Sequence, residues 1–179
     1  YLIRAQVIKQ PDVLLAMFLY STSFEDAEMR ANYEYYEPRC MHESSLSPSI
    51  HSILAARIGK REDAVKYFRQ ATRLDLDDYN RNTWQGLHTT SMAGAYMNLV
   101  YGFGGMRSDG KRVAFHPVLP DDWERLRFRV RVAGATVEVE VLPDETRVKL
   151  IEGSPVDIEL YGTPHTITQE GISAKQAGN

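Results

Sequence analysis

Two segments of the sequence place hydroxyl and imidazole groups directly before an apolar helical pattern. These segments are residues 42–49, with the sequence HESSLSPS, and residues 86–91, with the sequence GLHTTS. The first N–H groups of a helix have no partner inside the helix, and the aligned peptide dipoles make that end partly positive. Phosphate and carboxylate groups therefore bind readily at helix N-termini. Two such segments, both rich in Ser, Thr and His, predict an anion-binding site.

These polar residues also have ordinary structural explanations. Ser, Thr and Asp before a helix commonly serve as N-caps, each worth about 1 kcal/mol. Lys9 and Gln10 precede another apolar helical pattern, where a Lys-Gln pair is usually a solvated turn. The carboxylates of Asp75, Asp77 and Asp78 lack the glycine and distal glutamate of an EF-hand loop, so we expect a solvated loop there.

The histidines and the single cysteine give no metal-binding signature. Cys40 lacks an evident base partner for nucleophilic chemistry. Zinc ligands recur at short characteristic separations, which four histidines do not show: His42, His51, His116 and His165. We expect structural roles for these residues, with His42 shaping its loop, and we expect neither a metal ion nor an organic cofactor.

The composition is that of an ordinary globular protein. The chain has 179 residues, of which 43% are hydrophobic, and a formal net charge of -3, so nothing favours nucleic acid as a partner. A single cysteine excludes an intrachain disulfide. No run of about 18 apolar residues is present to span a bilayer, and the first residues do not resemble a signal peptide. A cytoplasmic protein is therefore expected and, since the chain starts at Tyr1 rather than Met, so is a longer parent polypeptide.

Apolar residues recur at helical spacing up to about residue 105. Ser47 followed by Pro48 predicts an N-cap with proline in the first helical position, and Gly59 predicts a C-terminal cap. This part of the chain should contain no strand longer than about three residues. At least five helices are predicted, near residues 11–21, 24–37, 48–58, 61–73 and 88–102.

Beyond residue 105 the apolar period falls to two, which predicts β-strands. Charged residues alternate with valines on both sides of Gly134. A two-residue type II′ turn that begins at Gly134 would pair Arg131 with Glu138 and Arg129 with Glu140. The predicted hairpin therefore carries its ion pairs on the solvent face.

On the opposite face, the same register makes Val130 and Val139 buried cross-strand neighbours. The later segments repeat the alternation, with basic charges in residues 147–149 and acidic charges in residues 157–159. Successive strands with alternating sign of charge on one face predict an antiparallel meander. Its other face would cover an apolar core.

Several short segments also occur in a specific order and spacing. They are residues 9–13 (KQPDV), 42–47 (HESSLS), 86–88 (GLH), 93–94 (AG), 100–106 (VYGFGGM) and 117–120 (PVLP). This ordered set resembles the C-terminal part of the maltose, trehalose and kojibiose phosphorylase family, glycoside hydrolase family 65. The resemblance extends from about residue 8 to about residue 141.

The resemblance implies an α+β fold. Members of the family have an N-terminal β-sandwich, an (α/α)6 barrel and a small C-terminal β-domain. Residues 1–105 would then form the C-terminal helices of the catalytic barrel. Residues 106–170 would form the antiparallel β-domain, as a meander or sandwich, and residues 171–179 a polar tail.

The resemblance also implies an inverting phosphorylase, which cleaves an α-glucosidic bond of a disaccharide with inorganic phosphate and releases β-glucose 1-phosphate. Phosphate would be held by Ser44, Ser45 and His88, with Thr89 as a weaker addition. The chain departs from the family pattern at Glu43, where Asp is usual, and at the threonines after His88, where apolar or small residues are common. These departures leave the anion site in place and affect its detail.

Two further site residues follow from the resemblance. Lys9 and Gln10 match the paired residues that bind hydroxyls of the transferred glucosyl unit. If the assignment is right, these side chains should open onto the same cavity in which Ser44, Ser45 and His88 converge. Simple helix caps would not require that convergence.

No catalytic residue is assigned within the chain. The general acid of the family is a glutamate in a motif that would lie before residue 1, so the chain alone is expected to be inactive. The expected partners are a disaccharide and inorganic phosphate, with no nucleic acid and no membrane. Helices taken from a barrel should expose apolar surface, which the rest of the polypeptide or another copy would cover, and the full-length enzyme is expected to be a homodimer.

Three other functions fit parts of the sequence. A trehalose hydrolase of the same family would use water in place of phosphate. Residues 64–71 resemble the second helix of a tetratricopeptide unit, although the unit does not recur and a solenoid needs about three. A carbohydrate-binding module in the β-half would need an aromatic platform, yet its predicted outer face is charged and Trp123 precedes the predicted hairpin.

Overall fold

The structure is a computed structural model that describes residues 6–175. The chain divides into two compact units, of which the first ends at Asn98 and the second begins at Leu99. The first unit is helical and the second consists mainly of strands. This order agrees with the change of apolar period in the sequence.

The first unit contains the five helices that the apolar spacing predicts. Described residues 11–102 contain no β-strand, as expected, and the nearby pairing of Ile8 with Cys40 is an isolated bridge. Short 3-10 turns occupy Glu37–Arg39 and Thr83–Gln85. The helices are α1 (Asp12–Leu19), α2 (Asp26–Tyr36), α3 (Ser47–Arg57), α4 (Arg61–Arg73) and α5 (Thr89–Met97).

Helix α3 forms the centre of this unit. Its residues 47–56 are all buried, and it contacts α1, α2, α4 and α5. A helix without a polar face must be covered on every side. Helix α5 approaches it closely at Gly94, where an added Cβ would lie 2.1 Å from Ser49 Oγ. Only glycine fits at that contact.

The two ends of α3 differ in how well the sequence predicts them. Gly59 follows the C-cap residue Ile58 with a φ of 78°, and its N–H donates to the carbonyl of Ala56, so the predicted C-terminal glycine cap is confirmed. The predicted N-cap is wrong, because the helix begins at Ser47 itself and Leu46 occupies the cap position. The Ser47 hydroxyl is bound by neighbouring side chains instead of the helix backbone.

Helix α5 changes its hydrogen-bonding pattern near the end of the first unit. It continues as a π-helical segment over Asn98–Phe103, and the N–H of Gly104 donates to the carbonyl of Leu99 at 2.8 Å. That bond has the five-residue separation of a π-turn. The predicted helix over residues 88–102 is therefore an α-helix followed by this wider turn.

The second unit consists of two four-stranded sheets. One has the order β1-β2-β6-β7 and the other the order β3-β4-β5-β8. Their apolar side chains alternate with exposed ones along the strands and are buried within the unit. The strands are β1 (Met106–Ser108), β2 (Val113–Phe115), β3 (Leu126–Val132), β4 (Ala135–Val141), β5 (Thr146–Glu152), β6 (Val156–Leu160), β7 (Thr163–Ile167) and β8 (Ile172–Ala174).

The turn of the β3-β4 hairpin differs from the prediction. Ala133 and Gly134 are its two central residues, with φ values of 48° and 87°, so the turn starts one residue earlier than expected. Positive φ at both positions is the mark of a type I′ turn, whose twist matches that of the flanking strands. The predicted type II′ turn beginning at Gly134 is therefore wrong.

This turn shifts the cross-strand pairing by two residues. Glu138 faces Arg129, with Nε to Oε2 at 2.8 Å, and it also binds Lys149 on β5 at 3.4 Å. Glu140 faces Arg127 rather than Arg129. The predicted pairs Arg131 with Glu138 and Arg129 with Glu140 are wrong in register, although the charges share one face as expected.

The valines on the other face follow the same shift. Val130 pairs with Val137, and Val139 pairs with Phe128. The predicted neighbours Val130 and Val139 are therefore two residues out of register. Because a shift of two keeps every side chain on its face, the burial of Val139 is still predicted correctly, but Val130 is only half-buried and Glu138, expected on the solvent face, is buried.

The meander also ends earlier than predicted. Strands β3, β4 and β5 are successive antiparallel neighbours, but β6 leaves this sheet and lies parallel to β2 and antiparallel to β7. Strand β8 takes the place beside β5. Since β8 covers residues 172–174, residues 171–175 are not a free polar tail, and residues 176–179 lie outside the described part of the chain.

Large exposed apolar side chains of the described residues lie in the helical unit, between Val7 and Tyr96. Four of them are in the connection from α4 to α5, namely Leu76, Tyr79, Trp84 and Leu87, and Trp84 is 81% exposed. This distribution agrees with the expectation of uncovered apolar surface on the helices. Of the helices described, none has the length and apolar character that crossing a membrane requires.

Candidate functional site

The first predicted anion-binding segment forms a loop before α3, and one of its serines binds a second predicted site residue. The Ser44 side chain is almost fully buried, and its Oγ donates to Gln10 Oε1 at 2.9 Å. The same oxygen accepts the N–H of Leu46 at 3.3 Å. Ser45 beside it is half-buried. A residue assigned to phosphate and one assigned to the glucosyl unit are thus in direct contact.

Backbone pairing holds the segment of Lys9 and Gln10 beside this loop. The N–H of Ile8 donates to the carbonyl of Arg39 at 2.9 Å, and the N–H of Met41 donates to the carbonyl of Ile8 at 3.0 Å. These bonds form the isolated parallel bridge next to residues 9–10. The Lys9 side chain is exposed and Gln10 is half-buried.

His42 fixes the shape of the loop, as expected from the sequence. Its φ of 53° is unusual for a residue with a side chain, and the ring holds it in place through two contacts. Nε2 lies 3.0 Å from the Tyr67 hydroxyl and Nδ1 lies 3.2 Å from Ser47 Oγ. Burial lowers the pKa of His42, so the ring is neutral at pH 7 and can bridge the two hydroxyls.

Three side chains near this loop have the donor types of a metal site, which the sequence spacing does not reveal. Cys40, His42 and His51 each offer a ligand atom, and these atoms lie within 4.8 Å of one another. Ser47 Oγ, however, lies 3.3 Å from Cys40 Sγ and 3.2 Å from Nδ1 of each histidine. The hydroxyl occupies the space between the candidate ligands, so the arrangement fits a buried hydrogen-bond cluster better than a metal site. The absence of a metal stays a prediction.

In the second predicted segment, His88 is held by the carboxylate of Asp75, which was expected to lie in a solvated loop. Asp75 Oδ1 lies 2.5 Å from His88 Nδ1, and Asp75 Oδ2 accepts the His88 backbone N–H at 2.8 Å. The hydrogen bond from His88 lowers the pKa of Asp75, which therefore stays ionised at pH 7. The prediction that Asp75 lies in a solvated loop is wrong, because both of its oxygens bind His88.

The other two carboxylates of that cluster behave as predicted. Asp77 pairs with Arg73 at the surface, with Nη2 to Oδ1 at 2.6 Å. Asp78 accepts the N–H of Thr83 at 3.1 Å and has a φ of 45°. Both carboxylates lie in the connection between α4 and α5. Asp75 lies two residues after the end of α4, and no short motif in the sequence links it to His88.

The connection from α4 to α5 touches both predicted segments. Asn80 Nδ2 donates to the carbonyl of Glu43 at 3.5 Å, and Asn82 Nδ2 lies 3.5 Å from His88 Nε2. Thr89 is the first residue of α5 and is exposed. The segments are therefore linked through Asn80 and Asn82. Convergence of Ser44, Ser45 and His88 on one bound anion stays a prediction.

A cavity of about 430 Å³ lies on the outer face of the sheet containing β3, β4, β5 and β8. Its charged side chains already form ion pairs, such as Lys149 with Glu138 and Arg147 with Glu140. No predicted site residue lines it. We therefore place the candidate site at the helix starts and not in this cavity.

Comparison with known proteins gives matches over both units. Residues 1–97 match the Glycosyl hydrolase family 65 central catalytic domain, and residues 106–167 match the Glycosyl hydrolase family 65, C-terminal domain. The chain is 47% identical over 158 residues to the alpha,alpha-trehalose phosphorylase of Thermoanaerobacter brockii, covering 88% of this chain and 20% of that protein. It is 41% identical over 165 residues to the maltose phosphorylase of Bacillus subtilis (strain 168), covering 91% of this chain and 22% of that protein.

A solved structure gives the same relationship. The "Putative kojibiose phosphorylase from human microbiome" is 43% identical and superposes with a TM-score of 0.91, covering 97% of this chain and 26% of that chain. The chain spans about a fifth of the length of the curated relatives it matches. It therefore corresponds to the end of the catalytic domain followed by the C-terminal β-domain. The chain belongs to glycoside hydrolase family 65.

Proposed function

We propose that the chain is the C-terminal part of an inverting disaccharide phosphorylase, which cleaves an α-glucosidic bond with inorganic phosphate and releases β-glucose 1-phosphate. The contact between Ser44 Oγ and Gln10 Oε1 at 2.9 Å carries the proposal. It joins a residue assigned to the nucleophile with a residue assigned to the transferred sugar. An inverting phosphorylase needs adjacent subsites for phosphate and sugar, since phosphate must reach the anomeric carbon of the bound glucosyl unit.

The reaction requires positioning more than activation of the nucleophile. A phosphate oxygen forms a bond to the anomeric carbon while the glycosidic C–O bond breaks on the opposite face. The departing oxygen takes a proton from a carboxylic acid, and phosphate replaces the base-activated water of an inverting hydrolase. Because phosphate is already an anion, the protein must mainly hold and orient it, and correct orientation can contribute several kcal/mol.

The side chains of the two segments suit this task. In the proposal the hydroxyls of Ser44 and Ser45 donate to phosphate oxygens, and His88 donates from Nε2, with Thr89 as a weaker contact. Asp75 holds the other nitrogen of the His88 ring at 2.5 Å, which leaves Nε2 for the anion. The serine hydroxyls are neutral donors, and a His88 ring that donates from both nitrogens is an imidazolium whose charge Asp75 compensates.

Lys9 and Gln10 bind hydroxyls of the glucosyl unit in this proposal. The exposed Lys9 ammonium supplies three donors, and the Gln10 amide supplies both donors and an acceptor. The general acid would be a glutamate contributed by sequence outside residues 1–179. On this view the chain alone has no disaccharide-cleaving activity.

Two alternatives are less well supported. A trehalose hydrolase of the same family would not need the Ser44, Ser45 and His88 donors, since water is a small neutral nucleophile. A tetratricopeptide-like scaffold is opposed by the family membership and by the burial of α3 on all sides. The candidate substrates are trehalose, maltose, kojibiose and nigerose, and the relatives include phosphorylases of the first three.

The proposal is tested by Ser45→Ala and His88→Ala in the full-length enzyme, assayed with trehalose, maltose and kojibiose. Each substitution should raise the KM for phosphate and slow phosphorolysis roughly ten- to thousandfold, the effect of losing one contact to a charged group. Initial rates at varied phosphate concentration give both parameters. Thr90→Ala is the matched control, because Thr90 is an exposed neighbour of the site to which no phosphate contact is assigned.

A substitution at Lys9 separates the sugar subsite from the phosphate subsite. Lys9→Ala should impair phosphorolysis and any slow hydrolysis together, because both reactions bind the same glucosyl unit. Ser45→Ala and His88→Ala should spare the hydrolysis. If the KM for phosphate and the rate of phosphorolysis were unchanged in both of those variants, Ser45 and His88 would be only structural residues at helix starts.

A further inference from the structure

Asp75 makes a contact with His88 that helix capping does not require. Its Oδ2 accepts the His88 backbone N–H at 2.8 Å, which is an ordinary interaction at the start of α5. Its Oδ1 lies 2.5 Å from His88 Nδ1, and this second bond satisfies no backbone group. The two side chains are 11% and 20% exposed, so the pair is largely shielded from water. The second bond therefore acts on the ring alone.

The carboxylate determines which ring nitrogen carries the proton. The pKa of Asp75 is lowered by its bond to His88, so this carboxylate is ionised at neutral pH and can only accept hydrogen bonds. Nδ1 must then be the donor, and the remaining nitrogen, Nε2, is directed away from Asp75. The described neighbour of Nε2 is the Asn82 amide, and the 3.5 Å separation makes it a weak contact.

We infer that Asp75 is a positioning residue, which fixes the proton on Nδ1 of His88 and orients Nε2 toward the anion subsite. The inference rests on the proposed function where it concerns phosphate. When Nε2 also carries a proton and donates to phosphate, the ring is an imidazolium, and the negative charge of Asp75 compensates it. Asp75 contacts neither substrate in this inference and acts only through His88.

The orientation of the ring can be tested without phosphate. In the full-length enzyme labelled with ¹⁵N at histidine, the ring nitrogens of His88 should show a protonated Nδ1 at neutral pH. Asp75→Asn should move the proton toward Nε2, because an amide can also donate and no longer demands a donor at Nδ1. Asp77→Asn is the matched control from the same loop, since Asp77 binds Arg73. An unchanged His88 ring spectrum in Asp75→Asn would overturn the inference.

The consequence for the reaction is measured in the full-length enzyme. Asp75→Asn should raise the KM for phosphate roughly tenfold to hundredfold, because the variant lacks the charge that compensates an imidazolium and a neutral Nε2–H donates a weaker hydrogen bond to phosphate. Asp75→Glu keeps the carboxylate and should recover part of this loss, which also answers the case in which Asp75→Asn fails to fold. Asp77→Asn should leave the KM unchanged.

A double variant shows whether Asp75 acts through His88. In a His88→Ala background, Asp75→Asn should cause no further rise in the KM for phosphate. If the fold-changes in KM caused by the two substitutions multiplied, the inference would be overturned, since Asp75 would then act independently of His88. If His88→Ala itself leaves the KM unchanged, the phosphate role proposed for His88 fails, and the ring spectrum alone then decides whether Asp75 positions the imidazole.

Discussion

At the scale of single residues, the Ser44 hydroxyl can donate its one proton either to Gln10 or, in the proposal, to phosphate. In the structure the proton goes to Gln10 Oε1, while the oxygen accepts the N–H of Leu46. A Ser44 hydroxyl that donates to phosphate must release Gln10. The freed amide oxygen can then accept a sugar hydroxyl, so the two proposed subsites should influence each other.

This coupling gives a prediction for a double-mutant cycle in the full-length enzyme. Ser44→Ala should raise the KM for phosphate, whereas Gln10→Ala should lower it, because it frees the Ser44 hydroxyl, and should raise the KM for the disaccharide. In the Ser44→Ala background, Gln10→Ala should no longer change the KM for phosphate. A coupling of about 0.5–3 kcal/mol is typical of side chains in direct contact. Lys9→Ala combined with Ser44→Ala is the control, and the fold-changes in KM of these two substitutions should multiply. Multiplying effects for Gln10 and Ser44 as well would contradict the coupling.

The residues of the site differ in how far sequence could identify them. Ser44, Ser45 and His88 are predicted from hydroxyl and imidazole groups before a helix, together with the family resemblance. Asp75 is missed because its partner is 13 residues away and no short motif links the two. The contacts of the Ser47 hydroxyl with Cys40 and two histidines could not be predicted either, because they depend on how the loop folds. From the sequence, an N-cap is the simpler prediction for Ser47.

At the scale of elements, the β3-β4 hairpin shows what an alternating pattern determines. Alternation with period two assigns each side chain to a face, and a shift of two residues leaves that assignment unchanged. The register depends on the turn, and the turn depends on whether Ala133 adopts a positive φ. Apolar spacing alone cannot show this. The faces were therefore predictable and the cross-strand partners were not.

The turn gives a prediction for stability. Ala133 has a φ of 48°, a conformation that costs a residue with a Cβ about 1 kcal/mol, while Asn is favoured before Gly in a type I′ turn. Ala133→Asn should therefore raise the free energy of unfolding by roughly 0.5–1 kcal/mol. Urea unfolding followed by circular dichroism measures the change.

A branched side chain at the same position is the matched control. Ala133→Val should lower the free energy of unfolding, because β-branched residues strongly disfavour positive φ. If Asn and Val had equal effects, Ala133 would not adopt the left-handed conformation in solution. The type I′ turn, and with it the pairing of Arg129 with Glu138, would then be wrong.

At the scale of the whole molecule, the order of helices then strands follows from the apolar period, but the sheet topology does not. The alternating charges of β5 and β6 suit neighbours in one sheet, yet β6 pairs with β2 and β7. Pairing between strands distant in sequence is set by how the buried faces meet, which charge alternation does not determine. Exposed apolar side chains on the helices were predictable, since the resemblance implies only part of a barrel.

The buried ring of His51 gives a prediction for stability against pH. Burial lowers the pKa of His51 to about 4, from an ordinary value of 6.5, and its ring packs among His42, Tyr33 and Tyr67. The unfolded chain takes up this proton at a higher pH than the folded chain does. The free energy of unfolding should therefore fall by up to about 3 kcal/mol as the pH decreases from 6.5 to 4.

His51→Asn isolates this contribution. The Asn amide can replace the Nδ1 donor to the Ser47 carbonyl, a contact of 2.9 Å in the structure, but it does not titrate. Urea unfolding at pH 7 and at several lower pH values should give a shallower pH dependence for this variant. An identical dependence in both proteins would mean that other groups, such as His42, account for the acid sensitivity.

The contact between Gly94 and Ser49 restricts how the sequence of this region can diverge. An added Cβ on Gly94 would lie 2.1 Å from Ser49 Oγ and 2.7 Å from Ser49 Cβ, so even alanine at position 49 would not make room for it. Any side chain at position 94 must move α5 away from α3, and the start of α5 carries His88. Many residues of either helix can therefore change during evolution, but glycine should be retained at position 94 for as long as α3 and α5 pack in this way.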